Sequence, residues 1–153
     1  MGCQAPRRVV LMGYRSDVAL GIAFPNSEAL IAFASAQRVT GDKYMQKMLK
    51  EYRVTHMPSA ALGGVVLWAS FEDIKWYSEY QGVQSNEQIL ANAKLLDYST
   101  IFIEIGEELD DLKYEVDEGS KSDVGILYDC LGISRRLIQP DTSEDITSFV
   151  KEN

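Results

Sequence analysis

Apolar positions along the chain change period several times, and each change predicts an element. Val18, Leu20, Ile22 and Phe24 recur at every second residue with small residues between them, the period of a strand with one face on a core. Pro25 cannot continue a ladder, and Asn26 or Ser27 can cap a helix through "SEALIAFASAQ", apolar nearly all round at Leu30, Ile31, Phe33 and Ala34. In "TGDKYMQKMLKEYRV" the spacing of Met45, Met48, Leu49 and Tyr52 predicts a second, amphipathic helix with Lys43, Lys47 and Lys50 along a solvated side. "HMPSAALGG" reads as a loop. The continuous apolar run of "GVVLWASF" reads as a strand buried on both faces, central in its sheet.

Further on, Ser85 and Gln88 form a capping-box pattern ahead of Ile89, Leu90, Ala93 and Leu96, which predicts a short helix. "STIFIEIG" alternates Ile101, Ile103 and Ile105 inward against Phe102 and Glu104, and "LKYEV" alternates Leu112, Tyr114 and Val116 against Lys113 and Glu115. Joined by "GEELDD", the two predict an antiparallel hairpin. "GILYDCLGI" is strand-like, "RRLIQPD" is ambiguous, and "TSEDITSFV" is a short capped helix with Ile146, Phe149 and Val150 on one side. Alternating strands and helices followed by a hairpin favour an α+β fold: a largely antiparallel sheet with helices packed on one face.

Composition narrows the class. The 153 residues, 46% hydrophobic and 25% charged, suit a single globular domain over 1–153. The longest apolar stretches fall far short of the roughly 20 residues that cross a bilayer, so no membrane partner is expected. The opening "MGCQAPRRVV" lacks the apolar core of a secretory signal, and Pro6 stands where a myristoylation signal wants Ser or Thr. Cys3 and Cys130 make no close pair, and Cys130 in its apolar run reads as a reduced buried thiol. A cytoplasmic protein is expected.

The net charge of −8 is uneven. Up to Ser78 there are nine Lys and Arg against six Asp and Glu; from Glu79 onward there are six against seventeen. That excess argues against direct nucleic-acid binding, which needs concentrated cations, and suits a basic partner. The densest part is "EIGEELDDLKYEVDEG", where Glu104, Glu107, Glu108, Asp110, Asp111, Glu115, Asp117 and Glu118 face Lys113 alone. On the predicted hairpin, Glu107 to Asp111 crowd the tip. They would serve to keep an edge strand from mispairing, as a docking ridge for a basic protein, or as a mimic of DNA phosphates. The spacing lacks the order of a calcium loop, and neither metal nor cofactor is expected.

Catalytic signals are sparse. His56, the single histidine, has no ligand partner at metal spacing, and no phosphate-cradling or serine-elbow motif occurs, so no catalytic residue is assigned. "FEDIKWYSEYQGV" is richer: Phe71, Trp76, Tyr77 and Tyr80 stand among Glu72, Asp73, Lys75 and Glu79, the composition both of a binding hot spot and of a loop pinned to the core.

With "MGYRSDVALGIAFPNSEALIAF", "IKWYSEYQGV" and "IEIGEELDDL" in this order, the chain resembles a set of small tailed-phage accessory proteins. Those proteins open with Met-Gly-Tyr-Arg-Ser-Asp/Glu-Val, carry Val-Lys-Trp-Tyr after a middle strand and have a Gly-Glu-x-x-Asp-Asp-like turn. The resemblance spans residues 12 to 118; the chain departs from it at Ile74, where Val is usual. It implies that residues 1–11 are an N-terminal extension and that 120–153 form a C-terminal appendage without counterpart. It further implies a non-catalytic protein in the cytoplasm of an infected bacterium, binding and inhibiting or redirecting a host protein, including one of anti-phage defence. Arg15, Ser16 and Asp17 would then be a shared polar site, Arg15 pairing with Asp17, Asp73 or a ligand anion, or else a local ion pair that fixes the start of the strand.

The expected binding residues are Arg15, Asp17, Asp73, Lys75, Trp76, Tyr77, Tyr80, Glu107, Glu108, Asp110 and Asp111. Two other readings compete. One is a small enzyme or sponge for a nucleotide-derived signal, with Arg15, Lys75 and His56 around a pocket; the other is a DNA mimic. Self-association stays open.

Overall fold

The computed structural model describes residues 15–57, 64–108, 111–134 and 136–152, with no side chains described for 133–136. The expected extension at 1–11 lies outside the described residues. The fold is α+β, and its six-stranded sheet is antiparallel at every pairing. The strands are β1 (Ser16–Phe24), β2 (Arg53–His56), β3 (Val65–Ile74), β4 (Thr100–Ile105), β5 (Leu112–Asp117) and β8 (Glu144–Asp145), in the order β5-β4-β1-β3-β2-β8. A separate hairpin pairs β6 (Gly132–Ser134) with β7 (Arg136–Ile138).

The helices are α1 (Ser27–Thr40), α2 (Lys43–Leu49), α3 (Gln81–Leu95), α4 (Gly125–Cys130) and α5 (Ile146–Glu152). Four of them cover one face of the sheet. Leu30, Phe33 and Ala34 of α1, Met45 and Leu49 of α2, Ile89, Leu90 and Ala93 of α3, and Ile146 and Phe149 of α5 meet Leu20, Ile22 and Phe24 of β1 and Val65, Leu67 and Ala69 of β3. The opposite face receives α4, whose Ile126, Leu127 and Cys130 pack with Leu131 on Ala19, Ala23, Val66, Trp68, Ile101 and Ile103. Strand β1 is therefore buried on both sides, not on the one that its alternation suggested, because small Ala19, Gly21 and Ala23 let α4 approach.

Local signals account for several boundaries. Asn26 Oδ1 accepts from Ala29 N at 2.8 Å and caps α1; Asp42 Oδ1 accepts from Met45 N at 2.9 Å and caps α2. Asp145 Oδ1 takes the N–H groups of Thr147 and Ser148 at the start of α5.

Other boundaries differ from expectation. Helix α2 stops at Leu49, and Arg53–His56 form a strand, so His56 is not in a loop. Helix α3 begins at Gln81, four residues before the expected cap. Ser85 and Asn86 are thereby buried mid-helix, where Asn86 Oδ1 accepts from the Tyr52 hydroxyl at 2.7 Å and its amide donates to the Gly82 carbonyl. Burial of Tyr52 raises its hydroxyl pKa strongly. Residues 125–130 are helix, not strand, since a face of Ile126, Leu127 and Cys130 fits a sheet that already has its strands.

Residues beyond Gly119 complete both cores and are no appendage. They supply α4, β8 and α5, and Thr55 Oγ1 binds the Thr142 carbonyl at 3.0 Å while accepting from Trp68 Nε1 at 2.9 Å. The joint between halves is a turn at Asp97–Tyr98–Ser99. The Ser99 N–H donates to Ser122 Oγ and its hydroxyl accepts from Gly119 N, both at 2.8 Å; Ser120 Oγ bonds Asp97, which sits at φ 68°.

Two outcomes follow from this packing. A Cβ at Gly119 would stand 2.3 Å from the Asp97 carbonyl oxygen, so Gly119→Ala is expected to cost at least about 2 kcal/mol in urea unfolding. In the same assay Gly82→Ala, whose Cβ would meet only the flexible Met48 side chain, Sδ at 3.4 Å and Cε at 3.7 Å, is neutral or stabilising. Cys130 is 2% exposed and burial pushes its thiol up to about 12. In a Cys3→Ser background it should therefore react with a disulfide reagent at neutral pH only as fast as the protein opens; prompt labelling of the native state would contradict this.

Candidate functional site

A groove of about 480 Å³ opens where α3 crosses the β4–β5 ribbon on the multi-helix face. Its apolar lining comes from Val83, Leu90 and Ala91 of α3, Phe102 of β4, and Trp76 in the segment between β3 and α3. Alternation along the two strands puts Glu104, Lys113, Glu115 and Asp117 on this same face, and α3 adds Glu87 and Lys94. Lys94 Nζ lies 3.1 Å from Asp117 Oδ2, and Ser16 Oγ donates to Glu104 Oε2 at 3.0 Å. The Lys113 ammonium sits 6.0 Å from the centre of the Phe102 ring. Four carboxylates against two ammonium groups leave the rim net negative.

Trp76 is half-buried and held by aromatic neighbours, its ring centre 5.9 Å from Phe71 and 6.1 Å from Phe102. It also lines a second hollow of about 430 Å³ with Met48, Phe71, Ile74, Lys75 and Tyr80. Tyr77 stacks at 5.3 Å on Tyr80. In the "FEDIKWYSEYQGV" stretch Phe71 and Trp76 pack on the core, as a loop pinned to it would, while Trp76 lines both hollows and Tyr80 the second.

The polar cluster at the start of β1 is a clasp. Arg15 Nη1 donates to the Asp73 carbonyl at 2.7 Å, its Nε lies 3.9 Å from the Asp73 carboxylate, and its backbone N–H donates to Glu107 Oε1 at 2.8 Å. Asp17 does not pair with Arg15; its Oδ1 accepts from Asp73 N at 2.8 Å and holds that residue at φ 52°. These bonds tie the beginning of β1 to the end of β3 and to the hairpin turn, across a register shift between Ser16 and Val18. The cluster thereby fixes the start of β1.

The expected β4–β5 hairpin forms, with Thr100 opposite Asp117 through Ile105 opposite Leu112. Glu107 and Glu108 are exposed at its tip and Asp111 is half-buried, its carbonyl accepting from Gly106 N at 2.7 Å. Asp110 lies outside the described residues. The structure joins Trp76 to the hairpin's helix-side face; among the described tip carboxylates, Glu107, Glu108 and Asp111 do not line the groove. Glu87 and Lys94 were not singled out by sequence. Lys113, Glu115 and Asp117 stood out only as part of the acidic segment, and nothing local signals that α3 runs above them.

Arg15, Lys75 and His56 do not converge. His56 pairs with Val65 at one end of the ten-residue β3, while Lys75 follows its other end and Arg15 pairs near Asp73, roughly 30 Å away by strand rise. His56 instead stacks on Phe149 at 5.8 Å. Beside it, a hydrogen bond that the protonated Glu144 carboxyl donates to Glu152 raises the Glu144 pKa, with a smaller opposing pull from His56. Among the described residues no three His, Cys, Asp or Glu side chains group to hold a metal ion, and no helix is long and apolar enough to cross a membrane. No protein-family model, curated protein or solved structure matches the chain.

The Glu144–Glu152 contact sets a pH dependence. A carboxyl whose folded pKa is raised stabilises at low pH, below its unfolded value, and the contribution is lost as pH rises through the folded value. Glu144→Gln, which keeps the hydrogen bond without the charge, should melt close to wild type at pH 4 and above it at pH 7. Melting curves across that range check the sign.

Proposed function

We propose that this chain is a non-catalytic accessory protein that holds a host protein through the groove between α3 and the β4–β5 ribbon. The supporting observation is that Trp76, the one aromatic of its stretch that reaches both hollows and both neighbouring rings, closes an apolar lining whose rim is net negative. An indole with half its surface buried can take up an apolar anchor while carboxylates around it select against acidic competitors. The matching partner is a protein segment with a large apolar side chain flanked by Lys or Arg. The resemblance to tailed-phage accessory proteins supplies the context, a target inside an infected bacterium.

On this reading the hairpin contributes Glu115 and its neighbours on the helix side, while Glu107 and Glu108 at the tip steer approach. Contacts of the first kind set the dissociation rate and those of the second the salt-dependent association rate.

The test is co-purification from infected cells, identification by mass spectrometry, and titration of the purified partner. Trp76→Ala should weaken binding by about thirtyfold, the loss of a central aromatic anchor, and Glu87→Lys by about fivefold. Reversing Glu107 and Glu108 together should change affinity less than threefold at physiological salt. Binding that survives Trp76→Ala and vanishes on reversing the tip would overturn the groove as the contact surface. A melting-temperature rise with a nucleotide or cyclic dinucleotide would replace it with a small-molecule reading.

A further inference from the structure

The two edges of the sheet are built differently. At one edge β8 is only two residues long and runs directly into α5, the kind of short, covered strand that cannot template a partner. At the other, β5 is six residues long with an unbroken register against β4 and contains no Pro, Gly or bulge. Among the described residues no strand pairs with its outer side. The turn bond from Gly106 N to the Asp111 carbonyl sets the phase of the ladder. By alternation, the N–H and C=O groups of Lys113, Glu115 and Asp117 point to β4, and those of Leu112, Tyr114 and Val116 point outward.

The side chains on this edge are self-complementary. Leu112 is 53% exposed and Tyr114 43%, on the α4 side of the sheet, where Tyr128 is also 53% exposed and close enough to Tyr114 to affect its hydroxyl. On the other side stand Lys113 and Glu115, neither of which has an ion-pair partner among the described residues of its own chain.

We propose that β5 is a homodimer interface, in which two copies pair antiparallel about a two-fold axis at Tyr114 and join their sheets into one of twelve strands. In that register Tyr114 lies opposite Tyr114, Leu112 opposite Val116, and Lys113 opposite Glu115 twice over. The outward N–H and C=O groups of Leu112, Tyr114 and Val116 fall in hydrogen-bonded pairs. The Lys113–Glu115 contacts fall in the intervening pairs, where opposite side chains are closest. Sliding the axis by one residue in either direction sets Glu115 against Glu115 or Lys113 against Lys113, so the charges select a single alignment. The axis stands perpendicular to the sheet, so the two α3 grooves open on the same side of the dimer.

A six-residue edge buries an area near the lower limit of specific interfaces, so association is concentration-dependent. Sedimentation equilibrium of the full chain from about 1 µM to about 1 mM should show a monomer–dimer equilibrium. Lys113→Glu and Glu115→Lys should each raise the dissociation constant at least about tenfold by placing like charges opposite one another. Mixing the two variants should restore dimers, as heterodimers, because each then offers the charge that the other lacks.

Tyr114→Pro removes the outward N–H and the phenol ring at the axis but no bond to β4; it should abolish the dimer with circular dichroism and melting cooperativity retained. A wild type that stays monomeric throughout would overturn the proposal. So would a dimer indifferent to Tyr114→Pro, or charge variants that fail to recover on mixing. Slow hydrogen exchange of the Leu112, Tyr114 and Val116 amides in a monomer would also overturn it, since another segment of the chain would then cover the edge.

Discussion

Strand β1 carries the domain because it is buried on both faces while paired on both edges. From Val18 to Phe24 every side chain in the strand is shielded, with Leu20, Ile22 and Phe24 under the helices and Ala19 and Ala23 under α4. Its N–H and C=O groups bond β3 on one side and β4 on the other, so no backbone group is stranded in the interior. Gly21 marks how tight the second face is. A Cβ there would come within 2.9 Å of Leu131 Cδ1 and 3.4 Å of Ile101 Cγ2, and the approach of α4 depends on its absence.

That constraint shapes the surface. Because β1 occupies the middle, the β4–β5 hairpin is pushed to one edge, where β4 is half-covered and β5 is largely open. Helix α3 buries Ile89, Leu90 and Ala93 on the core and overhangs the ribbon with Glu87, Ala91 and Lys94. The groove is the space left between an element anchored to the core and a ribbon that extends past it. The Arg15–Asp73–Asp17 clasp holds the ribbon's position by fixing the ends of β1 and β3 and engaging Glu107. Exposed ion pairs of this sort add little stability singly; here the backbone donors and acceptors carry the contact, and their geometry locks Asp73 in a left-handed conformation.

The C-terminal third shows how little of a sheet's second face is legible locally. "GILYDCLGI" has apolar residues enough for a strand or a helix, and a run of nine cannot settle the period. The choice was made by the sheet, which needed a cover over Ala19, Val66, Ile101 and Ile103. Likewise α3 starts back at Gln81, where Asn86 finds buried partners in Tyr52 and the helix backbone and Ser85 is buried beside it, overriding a capping-box pattern that is favourable only at a free helix end.

Period-two alternation in β1 and β4, the long apolar run of β3, the Asn26 cap and the Gly-Glu-rich turn between β4 and β5 were all determined by neighbours within a few residues, so the sequence alone identified them and the α+β class. The clasp joins residues 56 to 92 positions apart in the chain, as Asp17 with Asp73 and Arg15 with Glu107 illustrate, and the groove gathers side chains of three separate elements from Trp76 to Asp117. No short-range pattern encodes those distances; they appear only once two-sided burial of β1 has set the order of the strands.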